Sequence, residues 1–244
     1  MSKNTLSEIA SYTWQQAKGW ATSAFVVVIL FTGLAIAGNS LRYFSSTNVG
    51  FLRTKADVIH GTPYLPAFYA HITVGFIVLV TGLLSFSRRI RRRHSAVHRM
   101  AGKVYVALVL LLMAHSGLIM GLYANGGFTT WICFVLLAGL WGYYTAQAYR
   151  AIRQGKVTNH KIHMQRSYAL ALSAIMLRVY SFLAAYCGGL RGPEIYQILV
   201  WLSWVPNLLL VALYQYAAPL IDVLFALLAA RAGAQSVARR ASAD

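Results

Sequence analysis

Seven histidines and one arginine, Arg178, set in an apolar run, carry most of the chemistry open to this chain. An imidazole can hold haem iron or another metal, and it exchanges a proton near neutral pH. An ionisable group inside a bilayer costs about 3 kcal/mol or more at a helix centre, so each one is a functional candidate by default. His71, His115 and Arg178 stand in three different apolar runs. His98 and the pair His160 and His163 stand at the basic starts of two of them. Imidazoles on facing helices can grip a b-type haem from both axial sides, with a positive side chain near the propionates. A quinone oxygen could take the same positive partner. The candidate binding residues are therefore His71, His115 and Arg178 in one layer. His98 with His160 form the other, supported by Tyr105, Arg166 and Tyr168. The candidate iron ligands are His71, His98 and His160, and the candidate cofactors are haem b and quinone.

Other chemistries lack their parts. There are five acidic residues, and none lies in the middle of an apolar run. Cation transport, proton-coupled transport and Ser–His–Asp hydrolysis all need such a carboxylate. No HExxH, P-loop or GxGxxG pattern is present, and no CxxCH for covalent haem. Cys133 and Cys187 read as packing residues rather than a disulfide framework.

The elements that must position these residues follow from composition. Of 244 residues, 58% are hydrophobic and 11% charged, the net charge is +17 and the mean hydropathy is +0.56. Soluble domains carry about a quarter charged residues. The basic residues lie between long apolar runs, which argues against a nucleic-acid partner and for the lipid bilayer. A span needs about 20 mainly apolar residues. Six satisfy this: 21–38, 65–86, 101–123, 128–149, 165–186 and 195–216. Asn125-Gly126-Gly127 marks the turn between the third and fourth. The fold class expected is all-α, an integral membrane bundle of about six transmembrane helices. Residues 1–20 read as an amphipathic lead-in, 21–216 as the membrane domain with a four-helix core over about 65–186, and 217–244 as an interfacial helix and basic tail. A seventh span over Leu220–Ala230 is the alternative for that tail.

Positive-inside sorting gives the direction. With the N-terminus inside, 17 of the 22 Lys and Arg fall on inner segments and four on outer ones, with Arg178 in a span. Both termini are then cytoplasmic. His71, His115 and Arg178 reach similar depths in an outer layer, at about 1.5 Å per residue. His71, Gly75 and Gly82 share one face of the second span, and His160, Ser167, Ala174 and Arg178 one face of the fifth. Such stripes face other helices. They also fit a purely structural reading, in which the glycines serve packing and Arg178 bonds to carbonyls or snorkels.

Several pieces together carry a resemblance. They are Ala70-His71-Ile72 with Gly75 and Gly82, His98-Arg99-Met100-Ala101-Gly102-Lys103-Val104-Tyr105, Gly126-Gly127, and His160 followed by Met164-Gln165-Arg166-Ser167-Tyr168-Ala169-Leu170, with Arg178. Over about Tyr64–Tyr180 the chain resembles the bacterial predicted-membrane-protein family called domain of unknown function 2306. The resemblance implies a multi-pass protein of the bacterial cytoplasmic membrane. It points to His160 rather than His163, which stands where the family pattern has Trp, and it does not include His115. The layout is also similar to that of diheme b-type membrane cytochromes. Two functions are expected on these grounds. One is a haem- or quinone-binding electron-transfer protein working with a membrane redox partner or the quinone pool. The other is an accessory or assembly subunit, or a small-molecule carrier, without a redox cofactor.

Overall fold

The computed structural model describes the backbone of residues 3–217, 219, 220 and 223, with side chains from 23 onward and that of Trp20. The side chains of the lead-in and most of the tail lie outside the described residues. So does the question of a seventh span.

The described residues form an all-α bundle with six helices long and apolar enough to cross a membrane. They are α1 (Lys3–Ser40), α2 (Tyr64–Phe86), α3 (Ser95–Leu122), α4 (Phe128–Arg153), α5 (Val157–Cys187) and α6 (Pro193–Ala217). The expected turn at Asn125-Gly126-Gly127 separates α3 from α4. Gly126 and Gly127 take φ of 99° and 81°, a region that side chains disfavour. Helices α2, α3, α4 and α5 pack in sequence, and α5 returns to touch α2. Helix α1 lies on α2 and α5, and α6 on α4 and α5.

The bundle has two distinct ends. The α2–α3 and α4–α5 connections make an arginine end. The α1–α2, α3–α4 and α5–α6 connections make a loop end. There the segment after α1 folds into three short helical turns, Arg42–Ser45, Gly50–Lys55 and Ala56–Ile59. Tyr43, Leu52 and Ile59 from this segment pack with Tyr64 and Phe68 of α2 into an aromatic cap.

In lipid there is little hydrophobic drive between helices, so close approach and polar contacts hold the bundle. Helices α3 and α4 meet along a ladder of small residues. A Cβ on Gly142 would lie 3.3 Å from Ala114 Cβ, one on Gly117 3.6 Å from Ala138 Cβ, and one on Gly121 3.3 Å from the Phe134 backbone. Helix α3 is not uniform. Its buried row Ala101, Tyr105, Val109 and Met113 advances four residues per step, more than the 3.6 of an α-turn. A π-helical turn at Val109–Met113 absorbs the surplus and shifts the face of everything after it.

Candidate functional site

His71 projects from α2 towards α3. Its Nδ1 lies 3.0 Å from Ser116 Oγ, whose own hydroxyl donates to the Met113 carbonyl at 3.2 Å. Ser116 therefore accepts, the proton sits on Nδ1, and Nε2 keeps its lone pair. A Cβ on Gly117 would lie 3.8 Å from His71 Cε1, so the ring occupies space that a larger residue would close. His115, the expected partner of His71, is exposed on another face. The π turn is the cause, because it carries Ser116 rather than His115 to the α2 side.

Arg178 reaches the same region from α5. It lies within Coulombic reach of His71, of Tyr43 beyond the end of α1, and of Tyr196 on α6. Its side chain is exposed. One guanidinium nitrogen donates to the Ala174 carbonyl at 2.9 Å, as the structural reading anticipated. A guanidinium carries five N–H donors, so most of them have no partner among the described residues.

A buried lysine closes the loop end. Lys55, 5% exposed, donates through Nζ to the Tyr123 carbonyl and to Asn125 Oδ1. Nζ also sits 5.7 Å from the centroid of the Tyr64 ring and 5.8 Å from that of Phe51. Burial pushes its pKa below the ordinary value of 10.5. In the sequence Lys55 is only one of a few basic residues in a polar loop. Nothing in its spacing marks it for burial.

The arginine-end half holds the other expected residues. His160 Nδ1 lies 2.9 Å from the Ala148 carbonyl, which places the proton on Nδ1 and leaves Nε2 free. His98 on α3 and His163 on α5 stand at the same end of the bundle as His160. His98 Nδ1 and His163 Nδ1 are buried without a hydrogen-bond partner. His163 stacks on Tyr144 at 6.1 Å. Arg166 also lies over Tyr144 and donates to Gln215 Oε1 of α6 at 2.9 Å.

Tyr105 and Tyr168 do not join this histidine group. Thr145 Oγ1 donates to the Trp141 carbonyl at 2.7 Å, so at 2.7 Å from Ser167 Oγ it can only accept. Ser167 must then accept from Tyr105 at 2.8 Å, and Tyr105 accepts from Trp141 Nε1 at 3.2 Å. The result is a directed chain that leaves the Trp141 indole, passes through α3 and α5, and ends on the Trp141 carbonyl. Tyr168 donates to the Leu79 carbonyl at 3.0 Å. Its ring fills the hollow at Gly82, where a Cβ would lie 2.3 Å from Tyr168 Cε2 and 3.1 Å from Tyr105 Cε2.

Haem fits this geometry poorly in the outer layer, because His71 has no second axial imidazole once His115 turns away. In the inner layer, tyrosine rings fill the hollow at Gly82, so a macrocycle held by His98 and His160 would have to lie away from it. Among the described residues no group of three or more His, Cys, Asp or Glu is placed to hold a metal ion. Cys133 is buried and its sulfur accepts from Trp204 Nε1 at 3.1 Å, a packing role.

No curated protein and no solved structure matches the chain. The family model described as predicted membrane protein, DUF2306, matches residues 68–215, from the α2 turn that carries His71 to the last turns of α6, and the chain belongs to that family.

Proposed function

We propose that this is a multi-pass redox protein of the bacterial cytoplasmic membrane that binds a quinone head group beside His71 and Arg178, towards the loop end. The observation that supports the reading is the placement of His71 and Arg178 on the touching helices α2 and α5, each with one side-chain hydrogen bond and further polar atoms unpartnered among the described residues. A quinone carbonyl accepts from the free N–H groups of Arg178. In the quinol form, a hydroxyl donates to His71 Nε2, whose tautomer Ser116 fixes. The electrons are exchanged with a redox partner in the membrane. The arginine end faces the cytoplasm by positive-inside sorting, with both termini on that side.

The second reading is a b-type haem at the other end, held by His98 and His160. It is favoured by the Ala148 carbonyl that orients His160 as such carbonyls orient ligating histidines. One preparation separates the two. Protein purified in mild detergent is extracted for quinone, assayed for iron, and recorded oxidised and dithionite-reduced. We expect close to one quinone per chain, lost in His71→Leu and Arg178→Ala while the fold is kept. A Soret band with one or two irons per chain would replace quinone with haem. A folded, colourless, quinone-free protein would overturn both and leave an accessory subunit or small-molecule carrier.

A further inference from the structure

The helix Arg88–Arg93, Arg-Arg-Ile-Arg-Arg-Arg, joins α2 to α3. Ser87 caps it, accepting from the Ile90 N–H at 3.3 Å. Ile90 is half-buried, and its carbonyl accepts from the His94 N–H at 2.8 Å. The five arginines around this anchor are all exposed. Arg88 and Arg92 are spaced i, i+4, as are Arg89 and Arg93, so each pair shares a face. These four line an open hollow of about 490 Å³. The two carboxylates whose side chains are described, Asp57 and Glu194, belong to the opposite end.

Six residues are too few for a stable isolated helix, and like charges at these spacings oppose it further. Topology does not require the arrangement. Positive-inside sorting counts Lys and Arg alike, anywhere within 15–20 residues or so of a span. Here arginine alone is used, and four copies surround one hollow. The guanidinium fork matches phosphate oxygens two at a time, where lysine offers only a point charge. The helix begins two residues after α2 ends, which sets it at headgroup level. Basic clusters there attract anionic lipid. We infer that the hollow binds the phosphodiester groups of an anionic phospholipid. Two i, i+4 pairs suit two phosphates, so cardiolipin is preferred over phosphatidylglycerol. This inference does not rest on the quinone reading.

The test uses the full chain in mild detergent. Its thermal stability is titrated with cardiolipin, phosphatidylglycerol, phosphatidylcholine and inorganic pyrophosphate. The fourfold variant Arg88→Lys, Arg89→Lys, Arg92→Lys, Arg93→Lys keeps charge and topology but removes the forks. Arg150→Lys with Arg153→Lys is the control at the same end. We expect cardiolipin to stabilise wild type most, phosphatidylglycerol less, and phosphatidylcholine and pyrophosphate not at all. In the fourfold variant the cardiolipin midpoint should rise roughly tenfold, as expected for lost charge-assisted hydrogen bonds. The control should match wild type. An unchanged midpoint in the fourfold variant, an equal loss in the control, or stabilisation by pyrophosphate equal to that by cardiolipin would each overturn the assignment.

Discussion

In the arginine-end half, Trp141, Tyr105, Ser167 and Thr145 direct their donors around one closed chain, and Tyr168 donates to Leu79. In the loop-end half, His71 and Arg178 make one side-chain hydrogen bond each among the described residues, and the rest of their capacity has no partner there. Both groups are polar and both sit among apolar helices. The first locks α3, α4 and α5 in register and offers a ligand nothing. The second holds each of two side chains by a single bond and leaves their other polar atoms without a partner among the described residues. Polarity inside a membrane protein therefore does not by itself mark a site. The unused donors and acceptors do.

The largest effect that would sharpen this contrast is at Gly82. A Cβ there meets the Tyr168 ring at 2.3 Å, and the ring is tethered by its hydroxyl to Leu79. Gly82→Ala should destabilise the protein by about 1–3 kcal/mol, as overpacking does. Thermal denaturation in detergent would show it, with the quinone content of the folded fraction unchanged. Arg178→Ala should do the reverse. Loss of charge-assisted hydrogen bonds of about 1.5–3 kcal/mol would weaken quinone binding about ten- to a hundredfold with little change in Tm. Arg178→Lys should retain part of the binding. If both changes lowered Tm and left quinone content alone, Arg178 would belong with the structural group and the contrast would fail.

Much of this was legible in the residues. Six spans follow from apolar length, and the break at Gly126-Gly127 from turn chemistry. The stripe His71, Gly75, Gly82 does face other helices. Gly75 approaches Met113, and Gly82 receives the Tyr168 ring. Facing direction was the weak point. Counting 100° per residue cannot foresee a π turn, and the one at Val109–Met113 is what parts His115 from His71. Ser116, which fixes the His71 tautomer, was hidden for the same reason. The closed chain through Trp141 needs three helices in register, and no single helix's period contains that information. Lys55 is buried by contacts with Tyr123 and Asn125, about 70 residues away in the chain, so its loop reads as solvated.

Smaller effects probe the two groups bond by bond. Tyr105→Phe removes the link between Trp141 and Ser167. Interhelical hydrogen bonds in membranes average about 0.6 kcal/mol and reach about 1.7 kcal/mol. The expected loss lies in that range and should appear as a lower Tm with no change in ligand content. Ser116→Ala should leave Tm nearly unchanged and weaken quinone binding, because His71 then loses the acceptor that holds its proton on Nδ1.

The smallest effect concerns Lys55, a polar group at the loop end that is buried and satisfied and so belongs in kind with the arginine-end network. Burial lowers its pKa in the folded protein, while the unfolded chain keeps the ordinary value of 10.5. Between those two values the unfolded state holds the proton more often. Stability therefore rises with pH across that window and is flat below it. Tyrosines titrate in the same range, so the measurement is a difference between wild type and Lys55→Gln in detergent from pH 8 to 10.5. Wild type should gain stability on the variant as pH rises. A constant difference would mean that Nζ is solvated in the folded protein, and the cap would then not seal the loop end against Tyr123 and Asn125.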